Sequence, residues 1–205
     1  MGEINRASAA LVKLPQSAAQ TKAVRRGLNI SGLLPELIVY FSRKHQNYVN
    51  GTILDLEKGN TEAAAGIINR LTGAPLFPLE PVREYSHEYE ECTRQAKKDL
   101  QEKARPELKQ YPQSLEKYDI IYLGYPNYWS TMPMAVFTFL ERYDFTGKTI
   151  LPFCTHEGSG MGISERDIRS CCPGAVVKPG LAIRGSDAAE AENVIRKWLE
   201  EYRPA

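Results

Sequence analysis

The aromatic segment GYPNYWS at residues 124–130 is the part of the chain best suited to hold a flat ligand. It follows an apolar run at 119–123 that is typical of a buried strand, and it precedes Pro133, a residue type favoured at the start of a helix. The segment is therefore predicted to turn at the carboxyl end of a strand, the edge where open α/β sheets bind ligands. Two rings beside a proline offer stiff walls for a planar heteroaromatic molecule. In the alternative interpretation, Tyr128 and Trp129 fold back onto the core.

A second segment, from Ser42 to Thr61, has the features of an anion-binding loop. A helix is predicted to begin at its end, with Asn60 or Thr61 as the N-cap. Exposed amides of a first helical turn bind phosphate through their N–H groups and the helix dipole. The hydroxyls of Ser42 and Thr61, beside the small Gly59, would complete an anion cradle without a lysine. The alternative is an ordinary capped helix after a loop.

An insert at 44–57 separates the two halves of this loop. It carries mixed charges and a turn at Asn50-Gly51. Inserts of this length usually serve a function, form a lid or are disordered. The two halves of the loop can still meet at a bound phosphate if the insert loops outward.

A third polar loop, THEGSG at 155–160, follows another predicted strand. Its hydroxyls, its glycine-exposed amides and the side chains of His156 and Glu157 are suited to hydrogen-bond the polar edge of a planar ring. His156 is either a general acid or base, or a simple loop histidine. No Ser-His-Asp order and no nucleophile elbow accompanies it, so no catalytic residue is assigned.

Strands and helices are predicted to alternate from residue 37 onward. Apolar runs predict five strands, near 37–41, 74–80, 119–123, 149–154 and 175–183. Helical spacing of apolar residues predicts helices near 64–71, 85–100, 136–143, 163–171 and 191–202. This alternation favours a doubly wound, five-stranded parallel sheet inside a three-layer α/β/α sandwich. Strand order 2-1-3-4-5 places the proline-interrupted strand 74–80 at an edge and brings all three loops to one crevice.

Composition and charge narrow the class of function further. With 26 Lys+Arg against 25 Asp+Glu, the overall charge gives no reason to expect nucleic acid or a membrane surface as a partner. The four cysteines show no CxxC pair and no zinc spacing with the three histidines, which argues against a metal site and favours a reducing, cytoplasmic compartment. Residues 1–36 lack the apolar core of a secretory signal and are expected to form a flexible extension to a domain at 37–205.

Four motifs in order resemble those of the flavodoxins: YFSR at 40–43, GNTE at 59–62, GYP with following aromatics at 124–129, and FCTHEGSG at 153–160. The resemblance covers roughly residues 37–201. It implies a flavodoxin-like fold that binds FMN, with the phosphate at Ser42, Asn60 and Thr61. The residues it implies for the whole cofactor site are Ser42, Arg43, Gly59, Asn60, Thr61, Pro126, Asn127, Tyr128, Trp129, Thr155, His156, Glu157, Gly158 and Ser159. The chain departs from the family pattern in the insert at 44–57 and in the polar Asn127.

The resemblance implies electron transfer and leaves three functions open. A carrier would expose the flavin edge to redox partner proteins, and a single domain without a nicotinamide-binding unit favours this function. A reductase would take hydride from a nicotinamide and pass electrons to a quinone-like acceptor, with the insert as a lid or an oligomer contact. A flavin-free binding module that retains the fold is the third function. The sequence does not define the oligomeric state.

Overall fold

The computed structural model describes residues 34–204. A sheet of parallel strands forms the centre of this part of the protein. The strands are β1 (Glu36–Tyr40), β2 (His45–Val49), β3 (Thr52–Leu56), β4 (Leu76–Pro78), β5 (Ile120–Pro126), β6 (Thr149–His156), β7 (Val176–Val177) and β8 (Leu181–Arg184). The central sheet has the order β4-β1-β5-β6, and both β7 and β8 pair in parallel with β6. This confirms the predicted order 2-1-3-4-5, with the proline-containing β4 at an edge.

Helices cover both faces of this sheet. They are α1 (Asn60–Thr72), α2 (Tyr89–Gln101), α3 (Met134–Arg142), α4 (Ser164–Cys171) and α5 (Glu192–Tyr202), with a 3-10 helix at Gly185–Glu190. Because side chains alternate along a strand, Leu37 and Val39 of β1 pack toward α3 and α4, whereas Ile38 packs toward α1 and α5. Full burial of such a side chain contributes about 1.5–3 kcal/mol to the free energy that stabilises the folded state. The three-layer α/β/α sandwich is thus confirmed.

The last predicted strand, at 175–183, is divided into β7 and β8. The division falls at Pro179 and Gly180, since proline has no N–H to donate to the sheet. The Pro179 carbonyl instead accepts a hydrogen bond of 3.0 Å from the Trp198 indole of α5. Both short strands therefore occupy the single edge position that the sequence predicted.

The beginning of α2 also differs from the prediction. The helix starts at Tyr89 and not near residue 85. Tyr85 lies in the preceding loop, where its ring packs edge-on against those of Phe41 and Tyr128, with both pairs of ring centroids 6.0 Å apart. Its apolar character thus reflects packing in a loop and not a helical face.

The insert folds as an antiparallel hairpin of β2 and β3, which forms a separate sheet. Asn50 and Gly51 are the central residues of its turn, and both have positive φ, 47° and 88°. Such values are typical of the tight turn of a two-residue hairpin, so the predicted turn is confirmed. The two strands that flank it were not predicted.

Two expectations concern the ends of the chain and the membrane. The predicted extension lies outside the described residues except for 34–36, and it stays a prediction; Glu36 already belongs to β1. Within residues 34–204, no helix is both long and apolar enough to cross a membrane.

Candidate functional site

A cavity of about 550 Å³ lies at the carboxyl ends of β1, β5 and β6. Its predicted lining residues are Ser42, Arg43, Asn60, Thr61, Pro126, Asn127, Tyr128, Trp129, Thr155, His156, Glu157 and Ser159. Gly59 and Gly158, which were predicted with them, are not among the residues that line it. The three loops therefore meet in one crevice, as the strand order indicated. The role of each residue toward a cofactor stays a prediction.

The two halves of the anion-binding loop touch each other despite the insert. A Cβ atom built on Gly59 would lie 2.2 Å from Ser42 Oγ and 2.6 Å from the Arg43 carbonyl oxygen, so only glycine fits there. The expected N-cap was wrong: Gly59 holds that position, and Ser42 Oγ accepts the Glu62 amide proton at 3.1 Å. A hydroxyl distant in sequence thus caps α1, because the close approach at Gly59 brings it to the helix start.

A pair of threonine hydroxyls lies at the base of this cradle. The Oγ1 atoms of Thr61 and Thr155 are 2.7 Å apart, and the two residues are 1% and 4% exposed. One hydroxyl donates to the other, which leaves one of the two protons available for a further acceptor. Together with the first-turn amides of α1, this proton gives the cradle the donors that an anion needs.

Asn127 connects two of the three loops. Its Nδ2 donates to the Gly160 carbonyl at 2.9 Å, and its Oδ1 accepts the Ser130 amide proton at 3.0 Å. The backbone amide of Asn127 donates to the Thr155 carbonyl at 2.8 Å. The polar side chain that departs from the family pattern therefore fixes the loop 124–130 against the loop 155–160.

Trp129 is held at the mouth of the cavity by a strained turn. Tyr128 and Thr131 exchange two backbone hydrogen bonds, and the residues between them, Trp129 and Ser130, have φ values of 53° and 69°. Such values cost a residue with a side chain about 1–3 kcal/mol. Trp129 is 47% exposed, and its Nε1 donates to the Thr93 carbonyl at 3.0 Å.

Tyr128 folds back onto the core, which is the alternative that the sequence left open for the two aromatic residues. Its ring packs edge-on against that of Phe41, a residue of the core cluster, with the two ring centroids 6.0 Å apart. Tyr128 also lines the cavity. Burial raises the pKa of its hydroxyl, which lies 3.6 Å from Cys92 Sγ. Tyr128 thus supports the base of the site, whereas Trp129 lies at its mouth.

The backbone selects one tautomer of the neutral His156 ring. The Gly158 amide donates to His156 Nδ1 at 2.9 Å, at a φ of +130° that favours glycine. Since Nδ1 accepts this bond, the neutral ring carries its proton on Nε2. Burial and then the charge of Arg184 lower the pKa of His156, and Glu157 opposes them. His156 is therefore a neutral hydrogen-bond donor near neutral pH.

Glu157 joins the hairpin to the cavity. Its Oε2 accepts the amide proton of Asn50, at the hairpin tip, at 3.2 Å. Its Oε1 is buried and has no hydrogen-bond partner within the part of the chain that the structure describes. A Cβ atom on Gly185 would lie 2.5 Å from this oxygen and 2.4 Å from Asn60 Nδ2. A buried acceptor without a partner marks a place where a ligand hydroxyl would be favoured.

Arg43 fixes the base of the hairpin. Its guanidinium donates to the carbonyl of Gln46, and to those of Ser86 and His87 at 3.1 and 3.2 Å. Its Nε is buried without a partner among the described residues. The side chain predicted to contact the cofactor is thus mainly committed to holding the insert against the loop before α2.

The sequence analysis missed several residues that line the cavity. They are Asn47, Tyr48, Tyr89, Cys92, Thr93, Ala96, Ser130 and Gly185. Tyr89, Cys92 and Ala96 belong to the apolar spacing that predicted this helix, and a cavity-facing stripe has the same spacing as a core-facing one. Among residues 34–204, no cluster of His, Cys, Asp or Glu has the arrangement of a metal site.

Comparison with known proteins assigns the family. The flavodoxin family profile matches residues 56–202, so the chain belongs to the flavodoxin family. No curated protein matches it. A solved structure from Bacteroides eggerthii DSM 20697, of a protein proposed to be a flavoprotein, is 25% identical with a TM-score of 0.68 and covers 84% of this chain and 100% of that chain.

Two further structures have the same fold. One from Bacteroides uniformis ATCC 8492, also proposed to be a flavoprotein, is 25% identical, has a TM-score of 0.62 and covers 79% of this chain and 97% of that chain. A flavoprotein from Lactobacillus acidophilus NCFM, solved in complex with FMN, is 19% identical, has a TM-score of 0.56 and covers 81% of this chain and 99% of that chain. At that identity the last comparison supports the fold alone.

Proposed function

We propose that this protein binds FMN in the cavity and uses it to transfer electrons. The observation that carries the proposal is that an anion cradle and a fixed, exposed indole line the same crevice in a member of the flavodoxin family. The cradle suits the phosphate, and the aromatic loop suits the ring. FMN, when bound, supplies a ring system that takes up two electrons and passes them on together or singly.

The residues of the chain fit the parts of this cofactor. The Ser42 hydroxyl, the first-turn amides of α1 and the spare proton of the Thr61–Thr155 pair would hold the phosphate. Pro126 and Trp129 would orient the ring, and the buried Glu157 Oε1 would accept from a ribityl hydroxyl. His156 would donate a hydrogen bond from Nε2 to an oxygen at the polar edge of the flavin ring.

The hairpin favours a reductase over a carrier. β2 contributes Asn47 and Tyr48 to the cavity lining, and the hairpin tip is bonded to Glu157, so the hairpin forms a partial roof over the site of the kind that a reductase uses to cover a small substrate. In the proposed reaction NAD(P)H loses a hydride, and a quinone gains the two electrons and one proton of that hydride together with one proton from solvent, which gives NAD(P)⁺ and the hydroquinone. The near-zero net charge also gives no overall charge that would steer a protein partner.

A carrier is the second candidate function, and one observation favours it. Trp129 is about half exposed at the mouth of the cavity, so a redox partner protein would have access to the bound flavin ring beside it. Both functions suit a reducing compartment such as the cytoplasm, since Cys92, Cys154, Cys171 and Cys172 are free thiols.

The proposal is tested by adding FMN to the purified protein, removing the excess by gel filtration and recording the visible spectrum. We expect one retained FMN per chain, and a colourless folded protein would overturn the proposal. Ser42→Ala is expected to lose FMN because it removes the hydroxyl of the cradle. Ser170→Ala, which removes an exposed hydroxyl that donates to the Arg166 carbonyl of α4, is the matched control.

Anaerobic mixing of the FMN-loaded protein with NAD(P)H separates the two functions. Rapid bleaching of the flavin band, followed by recovery on addition of a quinone, is the result expected of a reductase. A flavin that NAD(P)H leaves unbleached, but that a reduced electron-transfer protein bleaches, would support the carrier.

A further inference from the structure

The outer strand of the hairpin has one edge without a strand partner among residues 34–204. β3 pairs with β2 along its other side, and the two strands form a sheet of their own. Residues 52–55 of β3 are all exposed. The free edge of such a strand presents N–H and C=O groups with which a further strand can pair.

The composition of β3 leaves this edge unprotected. Edge strands commonly carry a lysine, a proline or a bulge that prevents further pairing. β3 has the sequence TILDL, which contains neither residue, and it pairs with β2 residue for residue without a bulge. Its two large apolar side chains, Ile53 and Leu54, are 41% and 44% exposed. Two strands alone are marginally stable, so pairing with further strands would stabilise the hairpin.

The turn determines which backbone groups of β3 face the open edge. Val49 and Thr52 flank the two-residue turn, and residues in these positions exchange hydrogen bonds across a hairpin. Hydrogen-bonded pairs alternate along an antiparallel ladder, so the backbone groups of Leu54 also face β2. The N–H and C=O groups of Ile53 and Asp55 therefore face the open edge. Each of these two residues offers one donor and one acceptor, so the edge is complementary to itself.

Two copies of this edge can pair in antiparallel fashion about a two-fold axis at Leu54. Ile53 of each copy then exchanges two hydrogen bonds with Asp55 of the other, and the two Leu54 side chains lie directly opposite each other. Pairing centred on Asp55 would place two carboxylates opposite each other, which is unfavourable. Pairing centred on Ile53 would place Asp55 opposite Gly51, whose φ of 88° is not that of an extended strand. The register centred on Leu54 is therefore favoured.

We propose that a second copy of this chain docks on the open edge of β3, so that two hairpins form one four-stranded antiparallel sheet. The interface closes after two copies, because the same edge is used on both. Segment 44–58 carries two lysines and two carboxylates, so the two hairpins do not repel each other through a net charge. β2, which contributes Asn47 and Tyr48 to the cavity lining, is the neighbour of β3, so the second copy extends the sheet that partly roofs the cavity.

Sedimentation velocity of the purified protein at increasing concentration tests the proposal. We expect a reversible monomer–dimer equilibrium with a dissociation constant in the micromolar range, because two short strands bury less area than a standard interface. Leu54→Lys should raise this constant about tenfold or more, since two ammonium groups would meet at the axis. Ile53→Lys is the matched control: it changes a similarly exposed residue of the same strand but places its lysine opposite Asp55 of the second copy, so the dimer should be retained.

Leu54→Cys gives a second readout, which reports the register directly. Mild oxidation should join two copies by a disulfide, because residues directly opposite in a non-hydrogen-bonded pair have Cα atoms about 4.5 Å apart. Val194→Cys introduces a thiol at a 49% exposed position of α5 and controls for random collisions. This control is expected to run as a monomer on a non-reducing gel.

Four results would overturn the inference. They are a protein that stays monomeric up to submillimolar concentration, growth beyond the dimer, equal dissociation constants for the two lysine variants, and cross-linking of Leu54→Cys no faster than that of Val194→Cys. The inference does not depend on the proposed function, because β3 contributes no residue to the cavity lining. Loss of FMN binding would therefore leave the expected dimer unchanged.

Discussion

Gly59 joins the two halves of the anion-binding loop through the absence of a side chain. Its φ of −70° is open to any residue, so space alone excludes a Cβ atom, which would overlap Ser42 Oγ and the Arg43 carbonyl. We expect Gly59→Ala to push Ser42 away from the start of α1, and therefore to lower both the unfolding midpoint and the affinity for FMN. Thermal unfolding and an FMN titration measure the two effects.

Gly66 provides the control within the same helix. A Cβ atom there would meet only Lys58 Nζ, at an ordinary contact distance of 3.6 Å. In a helix interior alanine is more stable than glycine by about 0.5–1 kcal/mol, so Gly66→Ala should hold or raise the midpoint and keep FMN affinity. Equal behaviour of the two variants would contradict the packing explanation.

His156 is expected to titrate below its usual pKa of 6.5, because burial and Arg184 disfavour its charged form. The unfolded chain then binds a proton more readily than the folded one, so this residue's effect is a loss of stability as the pH falls through 6.5. His156→Gln should make the free energy of unfolding less dependent on pH between about 5 and 7. Urea unfolding of both proteins at several pH values measures the difference.

The tautomer of His156 gives an independent readout. Two-bond proton–nitrogen NMR correlations, assigned by comparison with His156→Gln, should show a neutral ring with its proton on Nε2, because Nδ1 accepts the Gly158 amide proton. A proton on Nδ1, or a pKa above 6.5, would contradict the structure.

At the scale of elements, the sequence predicted what is buried. Runs such as Ile120–Leu123 are apolar because helices cover both faces of the sheet, and this placed the strand ends and the three loops correctly. The hairpin strands could not be found in this way, because Thr52, Ile53, Leu54 and Asp55 are all exposed and follow no alternation between core and solvent. The hairpin is held by Arg43, Gln46 and Glu157, whose partners lie far away in the sequence.

The hairpin turn offers a way to loosen the roof of the cavity without removing a cavity side chain. Gly51 has a φ of +88°, so Gly51→Ala is expected to strain the turn by about 1 kcal/mol and to weaken the contact of Asn50 with Glu157. FMN should then dissociate faster, while the separate central sheet keeps its unfolding midpoint nearly unchanged. Stopped-flow fluorescence of FMN release measures the rate.

Asn50→Gly is the control at the neighbouring position. Glycine accepts the φ of 47° and keeps the amide proton that is donated to Glu157, so the release rate should stay near that of the wild type. If Gly51→Ala also released FMN at the wild-type rate, the hairpin would not act as a roof for the cofactor.

At the scale of the whole molecule, one ion pair joins the first strand to the end of the last helix. Arg203 Nε donates to Glu36 Oε1 at 2.6 Å, and the Tyr122 hydroxyl donates to the same oxygen at 3.2 Å. The Glu36 side chain is 6% exposed, so Arg203→Leu would leave a buried carboxylate without its cation. We expect the free energy of unfolding to fall by about 1–3 kcal/mol, measured by urea denaturation.

Arg196 of α5 provides a control that separates the effect of burying a charge from the effect of losing one. It pairs with Glu192 one turn away, and both side chains are about half exposed, so Arg196→Leu should change stability by less than about 0.5 kcal/mol. Glu36→Gln combined with Arg203→Leu should recover part of the loss, because the buried group is then neutral and still accepts from Tyr122. If Arg203→Leu lost no more stability than Arg196→Leu, the pair would behave as a surface contact and would not hold β1 against the end of α5.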